Sequence, residues 1–438
     1  MVTDNEIYKS SYHSSAAASA GMRPWVINIP DRKLWLVGFG RTCGYRGDMS
    51  RWISLASCGA FAASLVMLVS GPAMQESKSS RTVVSLNERP AAADPKCPSG
   101  DAGISVAISG SVALIGDWHG NNFRGATCVY TETGNAWRLT SVLTDPRNKE
   151  WDGFGFTVGV SSTRAATYAI VSAPGDGESV GIVYIYVRSG NRWRMQAKLS
   201  DPGKGMTDNF GQSVAISGTT AVVGADYSVA SKPGFVYVYV KSGRSWRLQA
   251  TLTDPSPTQT FGSDVAISGS TIIVGDGEQP SPSVVPEIRH AVAPAVTSVF
   301  TRTHSKWRLQ AKLTNSYPGA VAISGNLALV GEESQGDARL FGRTGSRWRR
   351  LAVLRGPFGN SVAITANAAV IGGPYADGGC GAAYVYEGSG TKWRLRVKLV
   401  PPRCPRNTLE LFAWSVAAGG KTAVIGQGYG GAYVMNFP

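Results

Sequence analysis

Residue types that could support catalysis occur in this sequence, but their spacing does not match an enzyme site. Residues 177–181 (GESVG) fit the nucleophile-elbow pattern, which requires a turn from a strand into a helix, whereas strands are predicted on both sides of them. The histidines His119, His290 and His304 lie far apart, and no Cys/His spacing typical of a metal site occurs. We therefore predict a non-enzymatic protein without a metal site or a cofactor.

Acidic side chains recur at one position of a repeated pattern and form the first candidate ligand site. They follow the second of four predicted strands in six repeats, at Asp117, Asp176, Asp226, Asp276, Glu332 and Asp377. Two interpretations stay open: a cation or ligand site, and turn chemistry, since Asp favours the first position of turns. The alternative function that this face suggests is a hydrolase or lyase that uses these carboxylates.

Basic side chains recur at a second position, between the third and fourth predicted strands. The candidate binding residues there are Arg192, Arg194, Arg244, Arg247, Lys306, Arg347, Arg349 and Lys392. The sequence has 43 Lys and Arg against 29 Asp and Glu, and such an excess attracts anionic surfaces without determining a fold. These residues either bind an anionic polymer or lipid surface, or form a solvated rim in which arginine stems cover tryptophan rings.

The elements that position these side chains belong to a repeat that occurs seven times. One valine marks each copy, at Val106, Val158, Val214, Val265, Val321, Val362 and Val416. The clearest copy runs from Phe210 to Leu252 and reads as four strands, a to d, of which a, b and c are nearly continuous apolar runs. Seven four-stranded copies of about fifty residues predict a seven-bladed β-propeller, an all-β fold.

Strand d alternates between apolar and polar residues, which predicts half-burial at the outer edge of each blade. In the clearest copy we expect Trp246 and Leu248 to face the core and Gln249 to face solvent. The last copy stops after residues 432–435 and lacks a strand d, whereas residues 81–86 precede the first copy and resemble one. We predict that this N-terminal segment supplies the missing outer strand and closes the ring.

Two short motifs recur within the copies. Phe-Gly occurs at Phe154-Gly155, Phe210-Gly211, Phe261-Gly262 and Phe358-Gly359, and variants of Gly-Ala-Pro occur at residues 172–174, 224–225 and 372–374. Over residues 81–438 the pattern resembles the FG-GAP repeat of integrin α-chain propellers and many bacterial exported proteins. The resemblance implies a propeller that binds or adheres. Calcium-binding members carry an Asp-x-Asp-x-Asp-Gly loop between strands a and b, but here a tight turn without carboxylates stands there, so calcium is not expected.

The N-terminal region predicts export and sets the domain boundaries. An uncharged, largely apolar run at residues 53–70 follows Arg46 and Arg51 and precedes small residues, as in a secretory signal. An uncleaved anchor stays an alternative, since about eighteen residues can just span a bilayer. We divide the chain into an upstream segment or incorrectly assigned start (1–48), a signal peptide or membrane anchor (49–73), a linker (74–80) and the propeller (81–438).

Four cysteines follow the predicted signal, at Cys97, Cys128, Cys380 and Cys404. An exported chain permits disulfides, and four cysteines allow three pairings. Cys97 and Cys404 occupy equivalent d–a loops of neighbouring blades, and we predict a bridge between them. The sequence thus predicts a secreted or cell-envelope binding or adhesion module. Its loop faces would contact an extracellular protein, a glycan, or an anionic polymer or lipid surface, with no specific nucleic-acid partner.

Overall fold

The computed structural model describes the chain in segments that belong to two compact units. The described residues are 24–27, 36–39, 83–85, 97, 102–134, 136–175, 181–203, 209–226, 234–254, 260–276, 296–314, 318–332, 336–356, 359–401, 404, 410–428 and 430–436. Residues 1–76 form one unit and residues 77–438 the other. The first contains an antiparallel hairpin of β1 (Pro24–Ile27) and β2 (Leu36–Phe39). The export segment predicted at residues 49–73 lies outside the described residues, among which no helix is long and apolar enough to cross a membrane.

The second unit begins with β3 (Val83–Ser85) and continues as a series of four-stranded antiparallel blades. Blade 1 contains β4 (Ser105–Ser109), β5 (Val112–Asp117), β6 (Ala126–Thr133) and β7 (Ala136–Leu143). Blade 2 contains β8 (Val158–Ser162), β9 (Thr167–Ala173), β10 (Ile182–Ser189) and β11 (Arg192–Ser200). Blade 3 contains β12 (Ser213–Ser217), β13 (Thr220–Ala225), β14 (Phe235–Ser242) and β15 (Ser245–Leu252).

The remaining blades repeat this order of strands. Blade 4 contains β16 (Phe261–Ser268), β17 (Thr271–Asp276), β18 (Val296–Thr303) and β19 (Lys306–Thr314). Blade 5 contains β20 (Pro318–Ser324), β21 (Leu327–Glu332), β22 (Asp337–Thr344) and β23 (Arg347–Arg355). Blade 6 contains β24 (Ser361–Ile364), β25 (Ala368–Gly373), β26 (Ala382–Ser389) and β27 (Lys392–Leu399). Blade 7 contains β28 (Phe412–Gly419), β29 (Thr422–Gln427) and β30 (Gly431–Asn436). Two single-turn helices, α1 (Gly120–Phe123) and α2 (Ala376–Gly379), follow strand b in blades 1 and 6.

The blades are arranged in a ring around their first strands. Each strand a contacts the strands a of the two neighbouring blades, and β28 of blade 7 contacts β4 of blade 1. Within blades 1 to 6 the strands pair in sequence order, so that strand a is innermost and strand d outermost. The predicted all-β, seven-bladed β-propeller is therefore confirmed.

In blade 7 the outermost position is occupied by the N-terminal strand β3. It runs antiparallel to β30, with Val84 opposite Val434 and Ser85 opposite Tyr433. The contact is limited to three residue pairs. Whether this short strand is what holds the ring closed stays a prediction.

The apolar core lies between neighbouring blades, where the phenylalanines of the Phe-Gly motif are placed. Phe154, Phe210 and Phe261 of this motif are fully buried, and so is Phe412, which precedes an alanine in blade 7. Each packs in a cluster drawn from two adjacent blades. Phe358 lies outside the described residues. Truncating such a buried ring typically costs about 3–5 kcal/mol, so the motif joins one blade to the next.

Strand d contains a β-bulge that the alternation does not predict. In blade 3 Val238 pairs with Ala250 and Tyr239 with Leu248, which leaves Gln249 as the bulged residue. Its side chain accepts a hydrogen bond from Nε1 of Trp307 in the next blade at 2.9 Å. The expected orientation was thus wrong for Gln249 and for Leu248, which is 44% exposed, because the bulge re-aims the strand.

The same glutamine–tryptophan bond links three successive pairs of blades. Trp246 donates to Gln196 at 2.8 Å, and Trp348 donates to Gln310 at 3.0 Å. Blade 5 has Leu351 at the bulge, and Trp393 of blade 6 donates instead to the carbonyl of its own turn. The bulge therefore serves to connect outer strands, where a glutamine is present.

The predicted Cys97–Cys404 bridge is wrong. Cys97 is bonded to Cys128 on strand c of blade 1, and Cys380 is bonded to Cys404. The Cα atoms of the two pairs are 5.8 and 5.7 Å apart, within the range that a disulfide requires. The first bridge thus fastens the chain before blade 1 to strand c of that blade, and the second joins the b–c loop of blade 6 to the following d–a loop.

Candidate functional site

The six outer strands d of blades 1 to 6 form a basic band, which we call the basic rim. These strands hold sixteen Lys or Arg and no Asp or Glu. The members are Arg138, Arg192, Arg194, Lys198, Arg247, Lys306, Arg308, Lys312, Arg347, Arg349, Arg350, Arg355, Lys392, Arg394, Arg396 and Lys398, and all of them are exposed. Only Lys312, Arg396 and Lys398 form ion pairs with described carboxylates.

The predicted basic residues lie on this rim rather than in the turns of one face. Seven of the eight are within strand d, and Arg244 alone is in the preceding turn. An arginine directly follows the strand-d tryptophan in all six blades. Because strand d is the outermost strand of each of these blades, these exposed cations lie along the circumference of the ring.

A second group of cations at the ends of strand c has a structural role. The Arg302 guanidinium lies 5.3 Å from the ring centre of Trp307, and that of Arg343 lies 5.4 Å from Trp348. Arg343 also donates to Asn326 at 2.9–3.0 Å. These arginines cover tryptophan rings, the role expected of a solvated rim. Among the described residues the strand-d arginines have no such contact, and Lys398 lies 5.8 Å from the ring centre of Tyr384.

The predicted acidic residues are separated on different blades, and each described one has a partner within the protein. Asp117 accepts a hydrogen bond from the Gly120 amide at 3.1 Å, and Asp276 accepts one from the Thr260 hydroxyl at 2.9 Å. The remaining contacts are Glu332 with Arg339 at 2.8 Å, Asp226 with Asn209 at 3.2 Å and Asp377 with Lys398 at 2.8 Å. Asp176 lies outside the described residues. In the described segments no group of three His, Cys, Asp or Glu residues could hold a metal ion.

The loops between blades 1 and 2 carry a cluster of aromatic rings, which we call the aromatic corner. It consists of Trp118, His119, Phe123, Trp151 and Phe156. Phe123 and Trp151 are stacked, with ring centres 4.2 Å apart and an angle of 14° between the planes. Trp151 is 52% exposed. One face of its indole therefore rests on Phe123, and the opposite face is open to solvent.

Two loops build the aromatic corner, and Arg124 joins them. The first loop contains α1, and the second connects blades 1 and 2. Arg124 in the first donates to the Asn148 carbonyl at 3.2 Å and to Glu150 at 2.6 Å in the second. Gly125 forms a parallel bridge with Phe154, and a Cβ atom at Gly125 would come within 2.0 Å of the Phe154 carbonyl oxygen. The two loops are thus held in close backbone contact.

The backbone of these loops is strained at the rings. Phe123 has φ 59° and Trp151 has φ 66°, a left-handed conformation that is unusual for bulky side chains. Asn121, Asn122 and Asn148 are left-handed as well, although asparagine adopts this conformation more easily. Such strain costs about 1–3 kcal/mol per residue and persists where the surroundings enforce it, often at functional sites.

A buried acid pair supports the second loop. Arg147 binds Asp145 and Asp152 at 2.9 Å each, and the Tyr184 hydroxyl donates to Asp145 at 2.7 Å. Burial, with the hydrogen bond to Asp145, raises the pKa of Asp152 to about 6. Although burial opposes it, hydrogen bonding by Arg147 and Tyr184 lowers the pKa of Asp145. The two carboxyl groups are only 1% exposed.

A cavity of about 500 Å³ lies on the ring axis and is lined by all seven strands a. Ser105 and Ser361 on this lining accept hydrogen bonds from amides of the following blade, Val158 and Val416, at 3.0 and 2.9 Å. Asp264 has the same role, since it accepts from the Val321 amide at 2.6 Å. Burial raises the pKa of Asp264 to about 7. The lining therefore ties the blades together.

Fold and repeat together define the class of this protein: a seven-bladed β-propeller with a basic circumference. Residues 193–239, which span the outer strand of blade 2 and most of blade 3, match the FG-GAP repeat family. With the observed ring of blades, this match confirms the resemblance to FG-GAP repeat propellers. No curated protein matches the sequence significantly.

Sequence reasoning missed the aromatic corner. The alternation of strand d predicted that Trp246 faces the core, and this residue is 8% exposed within a cluster shared by blades 2 and 3. Trp118 and Trp151 follow a different pattern, since neither occupies the strand-d position. A tryptophan outside the repeat position was the signal available in the sequence, but it carried no information on which rings come together.

Proposed function

We propose that this protein is a non-enzymatic extracellular or cell-envelope binding module that holds an anionic polymer along its basic rim. The observation that supports this most is the composition of the outer strands, which have sixteen cations and no carboxylate. Thirteen of these cations form no ion pair with the described residues. Exposed charges of one sign attract a polyanion and bind it more weakly as salt rises.

The arrangement favours a flexible polymer over a flat lipid surface. The cations follow the outer circumference of six of the seven blades in the ring. A flat membrane meets such a rim over one or two blades at a time, and each nearby cation contributes about 1 kcal/mol. A polymer chain can follow the curve and engage more blades at once, so its binding increases with chain length.

Edge protection is the structural explanation that competes with this proposal. Exposed outer strands commonly carry lysine and other charges, which prevent pairing with another chain. Charges of either sign serve that purpose, however, and six strands without a single Asp or Glu exceed what it requires. The uniform positive sign is what supports a ligand.

The alternative function, a hydrolase or lyase with carboxylates on the loop face, has one observation in its favour. Asp145 and Asp152 form a pair whose pKa values are shifted in opposite directions, as in many acid catalysts. Both side chains are 1% exposed and are bridged by Arg147. A substrate therefore cannot bring its reacting bond into contact with either carboxyl group. This arrangement supports a structural role, and binding remains the proposed function.

The disulfides are consistent with the proposed location. Cys97–Cys128 and Cys380–Cys404 persist in an oxidising compartment such as the extracellular space. An exposed basic band on an exported domain would meet the acidic polysaccharides that cell surfaces present.

The test is binding of the full-length protein to heparin, a probe polyanion, across a salt series. The rim variant Arg247→Glu/Arg308→Glu reverses two exposed strand-d cations. The control variant Arg164→Glu/Lys421→Glu reverses two exposed cations of the a–b turns and changes the net charge by the same amount. We expect the rim variant to lose at least about tenfold in affinity at low salt, and the control less than about threefold.

Equal losses in both variants would show that only net charge matters, and absence of binding by the wild type would reject the proposal. Binding to vesicles of phosphatidylserine and phosphatidylcholine is measured in parallel. Binding to vesicles without binding to heparin would assign the rim to a lipid surface instead.

A further inference from the structure

We propose that the open face of Trp151 in the aromatic corner binds a pyranose ring of a neutral glycan. This site is separate from the basic rim in sequence and chemistry, and its ligand is recognised by stacking rather than by charge. The inference therefore goes beyond the proposed function and does not depend on it.

The first step is the surface that Trp151 presents. Its indole is supported by Phe123 from below, with ring centres 4.2 Å apart, and is 52% exposed. A large aromatic side chain that is exposed to water has an unfavourable hydration free energy, and a ligand that covers the ring would remove it. A pyranose ring has one face of C–H groups, and this face matches a flat indole in size and polarity.

The second step is rigidity, because a fixed ring loses little entropy when a ligand binds. Arg124 connects the two loops through Asn148 and Glu150. The Gly153 amide donates to the Phe123 carbonyl at 2.9 Å, directly beside Trp151. The loops thus hold the stacked pair in its strained left-handed conformation, which is expected where a side chain must be presented in a defined position.

The third step is the polar border of the rings. The side chains of Asn121 and Asn122 next to Phe123 are exposed, and amides both donate and accept hydrogen bonds. Arg124 and Glu150 form an ion pair with side chains 30% and 49% exposed. A narrow apolar surface bordered by such groups suits a sugar, which has hydroxyl groups around the edge of its apolar face.

A protein partner fits this surface less well. Stable protein interfaces bury about 1,200–2,000 Å² and have several large apolar residues at their centre. Of the five rings in the corner, Trp151 alone belongs to the exposed large apolar residues of the described chain. A single open indole is sufficient for one sugar ring.

The test measures binding of the full-length protein to four neutral polysaccharides: hydroxyethylcellulose, laminarin, galactomannan and pullulan. The measurements are made in about 1 M NaCl, where the Debye length is about 3 Å and rim contacts are screened. Trp151→Asn removes the ring and retains a residue that tolerates the left-handed backbone. Tyr375→Asn is the matched control, since Tyr375 is 51% exposed in the corresponding loop of blade 6.

We expect at least one polysaccharide to bind the wild type and the Tyr375→Asn variant alike. Trp151→Asn should weaken that binding by at least about tenfold, and Trp151→Phe should restore part of it. Thermal unfolding of each variant checks that the fold is retained. The inference is overturned if none of the four polysaccharides binds, or if the folded Trp151→Asn variant binds as the wild type does. Loss of heparin binding by the rim variant leaves these results unaffected, so the two proposals fail separately.

Discussion

The corner between blades 1 and 2 and the corner between blades 6 and 7 have the same backbone and different side chains. Each has a single-turn helix after strand b, α1 or α2, and a parallel bridge to a buried phenylalanine, Gly125 with Phe154 and Gly381 with Phe412. The first corner carries five aromatic rings. The second has Tyr375 and Trp414, whose ring centres are 6.5 Å apart. The backbone therefore provides a scaffold, and the side chains decide what it presents.

The residue before the bridging glycine shows the same division. Arg124 stands there in the first corner and connects the two loops by hydrogen bonds. Cys380 stands there in the second corner and connects the loops covalently through Cys404. Both devices hold a b–c loop against the following d–a loop. The two corners thus reach one geometry through an ion pair in one case and a disulfide in the other.

The largest effect is expected from filling the close backbone contact that both corners share. A Cβ at Gly125 would lie 2.0 Å from the Phe154 carbonyl oxygen, and one at Gly381 would lie 2.1 Å from that of Phe412. Gly125→Ala and Gly381→Ala should each lower the free energy of unfolding by about 3 kcal/mol or more, because a forced backbone shift adds to the strain of φ above 0°.

Gly134→Ala is the control for this comparison. Gly134 has φ 63°, but no atom lies within 4 Å of its added Cβ, so it measures conformational strain alone, about 1 kcal/mol. Denaturant unfolding of the three variants checks the expectation. Equal losses at all three positions would show that the contact between the loops is not close.

The second effect is removal of the covalent connection in the corner of blades 6 and 7. Cys380 and Cys404 enclose a separation of 24 residues, for which loop-closure entropy predicts about 3 kcal/mol. The variant Cys380→Ser/Cys404→Ser should lose that amount, measured by denaturant unfolding under oxidising conditions. Wild-type protein under reducing conditions is the comparison, although it loses both bridges. An unchanged midpoint in the double variant would mean that the bridge constrains nothing.

The third effect is removal of the non-covalent connection in the other corner. Arg124→Ala should cost about 1 kcal/mol, because its ion pair is exposed to solvent and two hydrogen bonds to backbone are lost. The Arg164→Ala variant, which alters an exposed cation of a turn, should change stability by less than about 0.5 kcal/mol. A loss as large as that of the disulfide variant would show that the two devices are equivalent in energy as well as position.

The repeat made the ring predictable, but the corners were not predictable from it. Apolar runs at a spacing of about fifty residues predict blades because burial between blades requires them, and the observed strands follow the predicted order. The bulge at Gln249 depends on pairing register, which alternation alone does not fix. The bridge from Cys97 to Cys128 depends on a distance between a loop and a strand. The stacking of Phe123 on Trp151 depends on left-handed backbone in two loops that are distant in sequence.

The last expected effect is a dependence of stability on pH that is caused by Asp145 and Asp152, the acid pair beneath the first corner. Burial, with the hydrogen bond to Asp145, raises the pKa of Asp152 to about 6, above the value of about 3.9 expected in the unfolded chain. Between these values the folded state holds a proton that the unfolded state has released, so the free energy of unfolding falls as pH rises from about 4 to about 6. Asp152→Asn should flatten this slope. Asp264→Asn, on the lining of the axial cavity, should leave the part of the decline that Asp152 causes in place. It should remove a separate decline that runs from about pH 4 to about pH 7, because burial raises the pKa of Asp264 to about 7. Chemical denaturation from pH 4 to pH 8 measures both. A wild-type slope unchanged by Asp152→Asn would show that the proton is not held by this pair, and the electrostatic support assigned to the aromatic corner would then be incorrect.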